Sequence, residues 1–167
     1  MTLVKGIISY SICFFLLVFG LSGCVPVNNG GEYQSGKPQV NNGSKTVDDF
    51  KVSINVQQSQ KVQKMYATIT YMGDEPEIDI YHGGSIFFFN INQQDGDFEY
   101  EGAMNLPLLT TTLIRNKSHR VDFNGIEKFK LESGTYEFEA IANFSLDSNN
   151  IIESKMEIPV YCIAELE

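Results

Sequence analysis

The chain reads as an all-β protein, an antiparallel β-sandwich of about 7–9 strands behind a disordered tether. Three observations predict this. Apolar and polar residues alternate at period two in run after run, as in Phe50-Lys51-Val52-Ser53-Ile54-Asn55-Val56, which is the pattern of a half-buried strand. The runs are short and separated by Gly, Asp, Asn and Pro turn signals at a spacing of about 8–12 residues, as in sandwiches and barrels. No segment carries a helical period.

Each element follows in order. Phe50 to Val56 is the first strand. Met65, Ala67, Ile69 and Tyr71 place a second, and the turn Gly73-Asp74-Glu75-Pro76 ends it. Ile78 and Ile80 mark a third, closed by Gly83-Gly84. Ser85 to Asn92 centres on Phe87-Phe88-Phe89, an apolar run that predicts a strand buried on both faces. Asp95-Gly96 turns the chain. Leu108 to Ile114 is rich in Thr and Leu, residues that suit a pleated surface. His119 to Phe123 and Ile126 to Leu131 flank Asn124-Gly125, a strong hairpin signal because a type I′ turn needs φ > 0 at both central residues. Tyr136, Phe138, Ala140, Ala142 and Phe144 alternate through a long strand. Asp147 to Asn150 is a turn, and Ile152 to Ile163 closes the chain.

Before this domain the composition changes twice. Residues 24–48 hold Asn28, Asn29, Gly30, Gly31, Gly36, Pro38, Asn41, Asn42, Gly43 and Ser44 without periodic apolar residues. They read as a flexible linker with a typical reach of roughly 25–30 Å. Residues 1–23 read as a secretory signal: one charge at Lys5, an apolar run from Ile7 to Leu21, then small residues. The run of about 15 residues is short of the roughly 20 needed to span a bilayer, which disfavours an uncleaved anchor. The mature domain is then 49–167, large enough to bury about two-thirds of its chain surface.

The junction Leu21-Ser22-Gly23-Cys24 resembles the lipobox of bacterial lipoproteins at all four positions. The resemblance implies that Cys24 becomes the N-terminus and carries a diacylglyceryl group. Two acyl chains then hold the protein to the membrane, since each buried CH₂ contributes about 0.8 kcal/mol and one chain alone binds marginally. The implied location is the extracytoplasmic face of the cell membrane.

Composition narrows the partners. The chain carries 12 Lys+Arg against 21 Asp+Glu, for a net charge of −9. Loss of Lys5 with residues 1–23 makes it −10. That excess disfavours nucleic acid and anionic headgroups. It leaves the membrane, through lipidated Cys24, and a protein or cell-envelope partner. Of three cysteines, Cys13 leaves with the signal and Cys24 is lipidated. Cys162, in the apolar run Val160 to Ala164, reads as a buried structural thiol without a disulfide partner.

No constellation for catalysis stands out. The chain has two histidines, His82 and His119, and neither has companions at zinc-ligand spacing. It has no nucleophile elbow and no phosphate-binding Gly-rich loop. Acidic residues cluster at Asp74, Glu75, Glu77 and Asp79 and at Asp95, Asp97, Glu99 and Glu101. Both read as solvated faces. Asp95 and Asp97 are the candidates for a loop-borne Ca²⁺ site, and otherwise no metal or cofactor is expected. Arg115-Asn116-Lys117-Ser118-His119-Arg120 is a basic cluster on an expected turn. Tyr81 and Tyr100 are expected in loops, where aromatics anchor interfaces.

Two further resemblances bear on fold and function. Leu131-Glu132-Ser133-Gly134-Thr135-Tyr136 resembles the tyrosine corner of immunoglobulin-like sandwiches, which implies that the Tyr136 hydroxyl bonds backbone a few residues upstream. Ala67 to Phe144 is similar to the bacterial intracellular proteinase inhibitor family. The carrying residues are Ile69-Thr70-Tyr71 with its turn, Ile78 to Tyr81, Phe87 to Phe89 and Leu131 to Tyr136, with Ser133 in place of a proline. Where that family carries a Trp-containing stretch, this chain has Phe98 to Gly102. The expected function is a non-enzymatic, lipid-anchored binding or accessory module. The alternative is an extracytoplasmic proteinase inhibitor, with Gln93 to Asn105 as its loop.

Overall fold

The computed structural model describes residues 39–58, 62–103 and 107–167. The lipobox, Cys24 and residues 24–38 lie outside them. Among the described residues are ten strands: β1 Gln39–Val47, β2 Phe50–Gln58, β3 Val62–Tyr71, β4 Glu77–His82, β5 Phe87–Gln93, β6 Glu99–Tyr100, β7 Leu109–Ile114, β8 Ser118–Asp122, β9 Gly134–Ser145 and β10 Lys155–Leu166. One sheet runs β1-β2-β3-β8. The other runs β6-β5-β9-β4-β7, with β10 along the free side of β9. Every pairing is antiparallel. The chain is thus an antiparallel β-sandwich. Its ten described strands exceed the 7–9 expected, because β1 and β6 are strands that the sequence pattern does not mark.

Period-two alternation builds the core. Val52, Ile54 and Val56 of β2 and Met65, Ala67 and Ile69 of β3 face Phe138, Ala140 and Ala142 of β9, and all are at most 1% exposed. Phe50 closes one end, with its ring 4.9 Å from Phe144 and 5.6 Å from Tyr71. A second aromatic group, Phe98, Tyr100, Phe123 and Phe129, closes the other end against Tyr136. Burying one such ring contributes roughly 1.5–3 kcal/mol.

Four sequence expectations need correction. First, 39–47, assigned to the linker, is β1, paired with β2 residue for residue from Gln39↔Gln58 to Val47↔Phe50. The sandwich therefore includes residues 39–47, which composition alone gives to the linker. Second, β5 is buried on one face only. Phe87 and Phe89 point inward and Phe88 outward. Third, Asn124-Gly125 makes no hairpin. Gly125 has φ 101, but Asn124 is not among the positive-φ residues that a type I′ turn requires. A 3₁₀ turn, Ile126–Lys128, follows instead, because burying Ile126 keeps the chain against β3. Fourth, β10 starts at Lys155, not Ile152.

Tyr136 occupies the corner position and is fully buried. Its hydroxyl faces the Glu132 backbone, yet no partner stands within hydrogen-bonding distance and angle. Burial raises its pKa, and the Glu132 backbone opposes this. A formed corner bond would make Tyr136→Phe cost about 0.5–1.5 kcal/mol. An unpaired hydroxyl reverses the sign, since its removal ends a desolvation cost. The variant is expected to equal the parent or exceed it by up to about 1 kcal/mol in urea unfolding. A loss above about 1 kcal/mol would show that the bond is made.

Candidate functional site

The residues singled out in the sequence do not converge. Among the described residues, no three His, Cys, Asp or Glu side chains come together as a metal site. Asp95 and Asp97 stand exposed on the β5–β6 turn without a third such ligand. Asp79 points outward from β4 and accepts the Thr112 hydroxyl at 2.6 Å. Glu99 and Glu101 flank a shallow pocket of about 150 Å³ with Asn90, Glu137 and Glu139. Asn90 bridges it, donating to Glu139 Oε2 at 2.9 Å and accepting the Gly102 N–H at 3.1 Å. The basic cluster is divided. Arg115 donates to the Asp74 carbonyl at 2.7 Å, while Arg120 pairs with Asp122 and stacks 3.6 Å over the Tyr66 ring.

The expected loop aromatics also fall elsewhere. Tyr81 lies within β4, and Tyr100 sits in β6 with its ring 4.8 Å from Phe129 and 5.4 Å from Phe123. Alternation explains Tyr100: its neighbours Glu99 and Glu101 face out, so it faces in. Of the segment 93–105, residues 104 and 105 lie outside the described residues.

Two buried groups have structural surroundings. Cys162 is buried on the inner face of β10, and burial pushes its thiol up to about 11. It is thus a thiol, not a thiolate, at neutral pH. His82, the last residue of β4, is buried with both ring nitrogens engaged. Nδ1 lies 2.7 Å from the Gly83 carbonyl and Nε2 2.8 Å from the Thr111 hydroxyl. A carbonyl only accepts, so Nδ1 carries the proton and Nε2 accepts from Thr111. Burial lowers the pKa, the Gly83 carbonyl raises it and His119 lowers it further.

A lowered base releases its proton on folding, so the unfolded chain holds more protons below pH 6.5. The His82 contribution is complete above 6.5 and declines as pH falls through the folded value. The stability advantage of the parent over His82→Gln should therefore shrink between pH 7.5 and 5.5 in urea titrations. A constant difference would contradict this.

Several connections and exposed apolar side chains gather at one pole of the sandwich. Four connections meet there: Asp48-Asp49, Met72 to Pro76, Arg115 to Lys117, and the loop Leu146 to Ser154. The Met72 N–H donates to the Asp49 carbonyl at 2.7 Å, Asn116 N–H to Tyr71 at 2.8 Å and Arg115 N–H to Pro76 at 2.9 Å. The Phe50–Phe144 contact brings the end of β9 beside them. Met72, Ile114, Leu146, Ile151 and Ile152 are exposed here, and Ile152 is 88% exposed.

The loop under Ile152 is held from below. Ser145, 1% exposed, and Ser154 join through their hydroxyls. The Asp147 N–H donates to Ser154 Oγ at 3.2 Å, and Asn149 N–H to Asp147 Oδ1 at 2.8 Å. Asn150 Nδ2 donates to Glu153 Oε2 at 2.7 Å, and Ser154 N–H to the Asn150 carbonyl at 3.1 Å. Sequence reading missed this site by placing Ile152 in a strand. The signal available was the adjacent pair Ile151-Ile152, which alternation cannot bury on one face.

Comparison with protein-family models, with curated proteins and with solved structures finds no match.

Proposed function

We propose that this protein is a lipid-anchored, extracytoplasmic binding module without catalytic activity. Cys24 carries the lipid, the segment after it connects to β1, and the sandwich holds a protein or cell-envelope partner. The observation that carries the reading is Leu21-Ser22-Gly23-Cys24 directly behind the Ile7 to Leu21 apolar run. The 15 residue steps from Cys24 to Gln39 span at most about 50 Å, so the domain works within that distance of the bilayer. The exposed apolar side chains gathered on the connections at one pole support a binding role, because exposed apolar surface marks interaction sites.

The test is crosslinking at the native cell surface, repeated with residues 39–167 replaced by an unrelated sandwich on the same N-terminal segment. A partner captured by the parent and lost in the replacement supports the reading. A partner retained by the replacement contradicts it.

A further inference from the structure

We propose that the Leu146 to Ser154 loop is the docking element, seating Ile152 and Ile151 in an apolar cleft of a partner protein whose rim carries Lys or Arg side chains. The inference rests on the binding reading above and adds the surface and the partner's chemistry.

Position is the first argument. Gln58 Nε2 donates to the Glu165 carbonyl at 2.8 Å, and Gln39 pairs with Gln58, so β1 begins beside the end of β10. Lys155↔Ser145 lies at the other end of the β9–β10 ladder from Leu166↔Gly134. Twelve residues of strand separate the two, about 35–40 Å. The loop therefore points away from the pole where the N-terminal segment enters.

Preorganisation is the second argument. The hydrogen bonds around Ser145, Asp147, Asn150 and Ser154 fix the loop before any partner arrives. A loop already ordered loses less entropy on binding. Ile152 at its tip is left in water, so covering it gains most of that side chain's hydrophobic term.

Charge selects the occupant. Asp48, Asp49, Asp74, Glu75, Asp147 and Glu153 lie on the connections of this pole, against Arg115, Lys117 and Lys155, the last paired with Glu157. The excess repels an anionic lipid surface. It also opposes a two-fold contact with a second copy, which would set acidic pole against acidic pole. It complements a basic rim.

The test places a photocrosslinking p-benzoylphenylalanine at Ile152 in the full chain in the cells that make it. The control carries it at Thr68, on the outer face of β3. The expected result is one discrete adduct with another protein at Ile152, absent at Thr68. Its yield should fall at least threefold in Asp74→Lys/Glu75→Lys, whose side chains make no bonds within the loop. An adduct of two copies, a lipid adduct, no adduct, equal capture at Thr68 or a yield insensitive to the charge reversal would each overturn the proposal. If the sandwich replacement abolishes capture while Ile152 gives no adduct, the binding reading stands and this surface does not.

Discussion

Gly43→Ala is expected to destabilise the domain by about 1–3 kcal/mol, the cost of forcing atoms into a packed site. A Cβ at Gly43 would collide with the Tyr161 carbonyl oxygen and lie 3.0 Å from its carbon. Both are backbone atoms of β10, which is paired to β9 along its whole length and cannot retreat. β1 must move instead. The usual effect of Gly→Ala at an unstrained site is a gain of about 0.4–1 kcal/mol from a stiffer unfolded chain. The sign alone therefore decides. A urea midpoint below the parent's, with earlier proteolysis within 39–47, is the expected result. An unchanged or raised midpoint would mean that β1 does not lie against β10.

The same glycine explains why β1 was invisible in the sequence. Asn41, Asn42, Gly43 and Ser44 have linker composition, and of the half-buried positions Asn41, Gly43 and Val47 only the last carries an apolar side chain. The strand is specified by pairing with β2 and by close approach to β10, neither of which leaves a period-two trace. In β2, β3 and β9, by contrast, every second residue is buried and apolar over most of their length, so alternation revealed them directly. Asn124-Gly125 misled for another reason. The dipeptide permits a type I′ turn, but Ile126 and the half-buried Phe129 pull the chain inward after it. At Ile151-Ile152, apolar character stood for a strand that the Ser145–Ser154 hydrogen bonds replace with a loop. The candidate site was illegible for this reason: it is made of exposed apolar residues, and a sequence reader assigns apolar residues to the core.

Cys24→Ala is expected to have the largest functional effect, an all-or-none loss of anchoring. Without a thiol no thioether can form, and the variant should remain an unprocessed precursor or leave the membrane. The described strands, which begin at Gln39, should be unaffected, and Cys162 is free and buried among them. The variant's unfolding midpoint should match the parent's. Fatty-acid labelling should vanish, and the partner captured by the parent should be lost with it if recognition requires the membrane location.

The intact mass of the protein extracted in detergent from its own membranes tests the account most directly. The account predicts a chain beginning at Cys24 with the added mass of a diacylglyceryl group on that residue, and no species beginning at Met1. An unmodified chain recovered from the aqueous fraction, or a membrane-bound chain still carrying residues 1–23 without lipid, would contradict it.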